Sequence, residues 1–220
     1  MAFNYAANTL VEVNENNIYF IMLTCLPTIV FGKEDITKSK LSVWKNLNKC
    51  LNYREAEILW RIQHGAFLTP PIAQAMGLAD DSNCIFCRSY ARNSDHIFDC
   101  INLSDVWAYC NKILERAGHP LTKIRRRQGF SNKLMPLNHI LHTAYSVIYE
   151  RIWQAYNRIP PVCDKVGRLR QLIFGLIYTQ LYKSKIQGDQ ALMYTKLFWE
   201  PLSFLYEITT SGDINFSLPK

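Results

Sequence analysis

The feature that most constrains this chain is the set Cys84, Cys87, His96 and Cys100, spaced C-x2-C-x8-H-x3-C. Three thiolates and one imidazole make a complete tetrahedral ligand set for Zn²⁺. A filled set leaves no open position for a substrate or an activated water, so the spacing predicts a structural ion and not a catalytic one. Cys84 and Cys87 bracket Ile85 and Phe86, a pair tight enough to bring both sulfurs to one ion. His96 and Cys100 sit four residues apart, and a helix starting at 95–100 under a Ser94 cap would project both from one face. Ile97 and Phe98 would then pack beneath the ion, with Asp99 outward. Binding of this kind contributes on the order of 10 kcal/mol to local folding. The plain alternative is scattered core side chains, like Cys25, Cys50, Cys110 and Cys163, among which no second pair occurs. Seven cysteines is an odd total, and no secretion signal is expected. A disulfide framework is therefore disfavoured, and a nuclear or cytoplasmic location that keeps thiols reduced is expected.

A wider pattern surrounds the four ligands. Trp44 is followed by Leu59-Trp60-Arg61-Ile62-Gln63-His64-Gly65 and Leu68-Thr69. Gly77, Cys84-Ile85-Phe86-Cys87, His96-Ile97-Phe98-Asp99-Cys100 and Val106-Trp107 come next. This order resembles the zinc-binding region at the C-terminal end of non-LTR retrotransposon reverse transcriptases, over about residues 44–107. A fainter echo continues through Ile148-Tyr149-Glu150-Arg151-Ile152-Trp153. One departure is the acidic residue before the histidine segment: the family usually has Glu, and 91–95 offers only Asp95. In that family the region follows the polymerase thumb and contacts template RNA or target DNA. The resemblance thus implies an accessory nucleic-acid-binding role without polymerase activity, with a reverse transcriptase or another protein as a further partner. Leu78-Ala79-Asp80-Asp81 looks like a polymerase A-D-D signature, but that motif turns between two apolar strands, whereas here it sits in a loop-like run between Gly77 and the knuckle. It reads as a solvated turn.

The chain has 220 residues, 49% of them hydrophobic, enough to bury a core and too few to hold a polymerase beside this module. It is expected to be a fragment of a larger element protein or a free-standing descendant. Its net charge of +7 favours polyanionic partners. Lys123, Arg125, Arg126 and Arg127 form a basic strip suited to phosphates, or to serve as a nuclear address. On the knuckle, Arg88, Tyr90 and Arg92 form an aromatic-basic cluster. Tyr90 is either a base-stacking ring or a ring packed on the module's own small core; the sequence leaves both open. Residues 18–31 are apolar but interrupted by Pro27 and too short to span a membrane. No membrane partner is expected.

The expected fold class is mainly α: a helical domain with an inserted CCHC zinc knuckle. Residues 1–40 read as a lead-in and an apolar core segment, 41–120 as the zinc-binding module and 121–220 as a C-terminal helical bundle. Helical periodicity marks 41–50, 53–64, 72–76, 105–117, 138–158, 165–185 and 190–199. The inward faces include Val106, Cys110 and Ile113, then Ile140, Ala144 and Ile148, then Leu169, Ile173 and Ile177. The tail from 209 is expected to fray. His139 and His142 lie close to one helix face without a cysteine or carboxylate partner of suitable spacing, so they read as ordinary histidines. Glu55 and Glu57 read as isolated charges. No Gly-rich phosphate loop, nucleophile elbow or open metal site is recognisable, so no enzyme is expected. A second functional reading is a domesticated protein-interaction module, docking on a partner or on itself through an apolar patch supplied by residues 18–31 and the late helices.

Overall fold

The computed structural model describes residues 53–63, 68–91, 96–131, 134–211 and 213–219, all within one unit that spans 42–220. The apolar segment 18–31, the expected helix 41–50, Trp44, His64, Gly65, Arg92, Ser94 and Asp95 lie outside them. The described chain is mainly α. Its helices are α1 (Tyr53–Gln63), α2 (Pro70–Ala75), α3 (His96–Asp99), α4 (Ser104–Arg116), α5 (Lys123–Gln128), α6 (Met135–Tyr156), α7 (Lys165–Gln187) and α8 (Asp189–Phe198). A short antiparallel pair, β1 (Tyr206–Ile208) and β2 (Ile214–Phe216), closes it, with Tyr206 opposite Phe216.

Helix α6 is the axis of the core. Every residue from Met135 to Ile148 is buried, the mark of a helix surrounded on all sides. Its polar residues survive there because they bond locally: the Thr143 hydroxyl donates to the His139 carbonyl at 2.7 Å and Ser146 to that of His142 at 3.0 Å. Around it pack α1, α4 and α7. Helix α4 contributes Val106, Tyr109, Cys110, Ile113 and Leu114. Helix α7 contributes a ridge of Leu169, Ile173, Ile177 and Leu181, one residue per turn. One continuous core therefore joins the described parts of 41–120 and 121–220.

The breaks have local causes. Asp164 caps α7 by accepting the Gly167 N–H at 2.6 Å. Gly188, at φ 106°, turns the chain between α7 and α8 in a conformation that side chains with a Cβ resist. The tail differs from the expected frayed end. Phe216 lies against the Phe174 ring at 4.6 Å, and the turn is closed by Thr209 N–H donating to the Asp213 carbonyl at 2.9 Å. Three-residue strands carry too little pattern to be seen in sequence; packing on α7 is what orders them. Among the described residues no helix is long and apolar enough to cross a membrane.

Candidate metal centre

Local backbone chemistry builds the knuckle. The Cys84 N–H donates to the Ser89 carbonyl and the Arg88 N–H to the Cys84 carbonyl, both at 2.8 Å. Arg88 takes the left-handed conformation, φ 60°, that closes the turn. Asn83 and Tyr90 then pair as an isolated antiparallel bridge, and Asp81 Oδ1 accepts the Asn83 N–H at 2.8 Å. Asp80 and Asp81 lie in an exposed bend before it, the geometry of a turn.

The other two ligands come from the single helical turn α3 and the residue after it. One turn has little stability of its own, and neighbouring helices hold it. Trp107 Nε1–H donates to the Ile97 carbonyl at 3.3 Å, and the Arg126 guanidinium to that of Phe98 at 3.0 Å. These bonds satisfy carbonyls that a short helix leaves without partners. Ile97 and Phe98 are buried beneath the site as expected, Phe98 clustered with the rings of Trp107 and Tyr145, which also meet each other. Asn102 secures the other side by donating to the Phe86 carbonyl at 2.6 Å.

The result brings Cys84, Cys87, His96 and Cys100 together, their ligand atoms all within 4.8 Å of one another. Cys84 Sγ and Cys100 Sγ are 3.7 Å apart, and Cys87 Sγ and His96 Nε2 are 3.2 Å apart. A tetrahedral ion with about 2.3 Å metal–sulfur bonds needs its sulfurs about 3.8 Å apart. Both sulfurs are free thiols, far beyond bonding distance. Burial and the neighbouring Cys84 sulfur push the Cys100 thiol up to about 12. Cys87 goes the other way. Burial opposes its ionisation, but hydrogen bonds from Ser89 and His96 outweigh that and hold it at about 6. A thiolate at Cys87 beside reluctant Cys100 is a cluster that gains by taking up a cation.

The basic strip also makes contacts with the protein's own surface. It forms α5, capped by the Thr122 hydroxyl, which accepts the Arg125 N–H at 3.2 Å. Its guanidinium groups are turned back on the protein. Arg125 donates to the Pro120 carbonyl and covers the Phe130 ring; Arg126 covers Trp107; Arg127 pairs with Asp99 at 3.2 Å and covers Phe98. Helix α5 clamps α3; Lys123 stands out furthest, its side chain 80% exposed, and Arg127 is exposed as well, at 42%. On the knuckle, Arg88 and Tyr90 are both exposed, Tyr90 at 66%. Tyr90 is thus not part of the module's own core.

A second cluster contradicts the sequence reading. Glu55 is buried, and His139 and His142 both hydrogen-bond to its Oε1 from α6, at 2.5 and 2.8 Å. Burial by itself raises a carboxyl, but the two imidazole bonds prevail and hold Glu55 at about 2. The partners lie 84 and 87 residues apart, which no local spacing reveals. The sequence signal was the spacing of the two histidines on one helix face; the carboxylate had none.

Fold and site together define a mainly α protein with a Cys₃His cluster able to hold a metal ion. Comparison with protein-family models, curated proteins and solved structures finds no match, so the functional reading rests on the residues themselves.

Proposed function

We propose that this chain is a zinc-stabilised accessory module that binds RNA or DNA, derived from or part of a non-LTR retrotransposon reverse transcriptase and without polymerase activity of its own. The observation that carries it is a knuckle whose four donors converge inward while Arg88 and Tyr90 stand exposed on its outer turn. Three sulfurs and one imidazole select zinc over harder divalent ions. An exposed tyrosine accepts a stacked base, and the adjacent guanidinium a phosphate. Lys123, exposed beside Asp99, supplies a further surface cation. Thiols kept free for zinc suit the nucleus or cytoplasm. The test is metal content measured alongside fluorescence anisotropy on RNA and DNA across a salt series. Tyr90→Ala weakens binding by roughly 1–3 kcal/mol. Arg88→Ala lowers the salt slope by about 1. Absence of binding at low salt refutes the reading.

One observation favours a second reading, a protein-interaction module. Helix α7 exposes Phe174, Tyr178 and Tyr182, stacked in sequence at 5.5 and 5.7 Å, and α8 exposes Met193, Tyr194 and Leu197. The rings cover one another's faces, with interplanar angles of 13° and 11°. Their exposed surface offers an apolar ladder for packing. Concentration-dependent self-association that Tyr178→Ser abolishes supports this reading, and a monomer at every concentration removes self-docking.

A further inference from the structure

The geometry points to a second metal centre at Glu55, His139 and His142, taking a first-row divalent transition-metal ion. It is independent of the Cys₃His cluster: the two groups of donors sit on different elements, and either can be occupied alone.

Four observations carry the assignment. First, the donors converge. His139 Nδ1 and His142 Nδ1 reach the same Glu55 oxygen at 2.5 and 2.8 Å, and the ligand atoms of all three residues lie within 4.8 Å of one another. A tetrahedral ion with nitrogen and oxygen ligands at about 2.0–2.2 Å needs its donors about 3.3–3.5 Å apart. A retreat of the carboxylate by about 0.5–1 Å therefore admits the ion. Second, the donors are held by regular elements. The histidines lie three apart on α6 with their rings near-perpendicular, at 88°, and the carboxylate comes from α1 packed against it. Third, two imidazoles and a carboxylate suit zinc, iron, cobalt or nickel, and not the oxygen-seeking calcium or magnesium.

The fourth observation concerns His139. Its Nε2 is buried with no hydrogen-bond partner among the described residues, and its ring lies against those of Phe198 and Trp199 at 5.8 and 6.0 Å. With an ion on Nδ1, the remaining ring N–H sits at Nε2, where the faces of the aromatic rings supply a weak acceptor.

The site also has access and room. Glu55 forms part of the wall of a cavity of about 340 Å³, whose lining includes Thr143, Ser146, Gln171, Gln180 and Lys183. A cavity of that size holds water beside the ion. Three protein ligands, one of them bordering a cavity with several polar side chains in its wall, is compatible with an open site, unlike the closed Cys₃His set.

Cobalt(II) added to the metal-free whole chain tests this. Two equivalents are expected. The thiolate-to-cobalt charge-transfer band saturates with the first, and the second adds visible ligand-field absorption without further charge transfer. Cys87→Ser removes the charge-transfer band and keeps the second equivalent. Glu55→Gln does the reverse, weakening the second equivalent by more than about 100-fold, beyond the loss of a mere supporting group. Anomalous diffraction at the cobalt edge from wild-type crystals places the ion without depending on a variant's folding. A single equivalent, or a second one located away from Glu55, overturns the proposal.

Discussion

Arg126 is the residue whose role the structure most changes, and replacing it tests the architecture directly. Its guanidinium donates to the Phe98 carbonyl at 3.0 Å and lies over the Trp107 ring at 5.6 Å, while its own carbonyl accepts the Tyr145 hydroxyl. Arg126→Ala keeps the last bond and removes the first two. A hydrogen bond from a charged donor contributes about 1.5–3 kcal/mol, and a partly desolvated cation–π contact about 1–2 kcal/mol. The expected loss is about 3 kcal/mol, a large share of a domain's ordinary 5–15 kcal/mol. In urea, with metal saturating, that lowers the unfolding midpoint by roughly 1–2 M at unchanged m. Because Phe98 sits between His96 and Cys100 on α3, metal affinity falls as well, by about tenfold for each 1.4 kcal/mol transmitted. Arg126→Lys recovers less than half, since a point charge cannot both cover the ring and reach the carbonyl. Lys123→Ala is the control: its pairing with Asp99 spans 3.6 Å at the surface, and its removal stays within about 0.5 kcal/mol. A midpoint moved by less than about 0.3 M in Arg126→Ala, with nucleic-acid affinity lost instead, refutes the inward clamp.

Three further outcomes are expected. Cys87→Ser loses the metal of the Cys₃His cluster, and amide exchange speeds up at Cys84 and Arg88, whose N–H groups close the knuckle; α7 stays protected, and stoichiometric metal at that cluster in the variant would contradict the ligand assignment. Asn138→Ala removes the bonds by which Oδ1 accepts the Phe130 N–H at 2.7 Å and Nδ2 donates to its carbonyl at 3.1 Å. The buried turn then has no partners, and Tm drops by roughly 6–12 °C for about 3 kcal/mol; an unchanged melt shows that the turn holds itself. Burial pushes the Cys110 thiol up to about 12 against the nearby Arg126 charge. A raised value keeps the thiol protonated below that pH, so raising the pH from 7 to 9 does not expose it to iodoacetamide while the fold persists. Half-buried Cys163 is alkylated, and equal labelling of the two by mass spectrometry overturns the buried placement.

The sequence by itself marked most of the described helices and the Cys84, Cys87, His96 and Cys100 cluster. Apolar residues recurring at helical spacing located α4, α6 and α7, because each presents a stripe that must be buried. Cys84, Cys87, His96 and Cys100 were legible because their spacing is short enough for the local chain to carry its own geometry. Only the tertiary structure decided what distant residues do to one another. Arg125, Arg126 and Arg127 read as an outward strip, yet their guanidinium groups face aromatic rings and carbonyls of the protein itself, because charge in a sequence carries no direction. Glu55 read as an isolated charge and His139 and His142 as unpartnered; packing α1 on α6 made them one buried group. The order of the tail likewise came from Phe216 finding the aromatic face of α7. Periodicity and spacing are short-range properties of a chain, whereas burial of a charge and the partner that relieves it are fixed only when the helices pack.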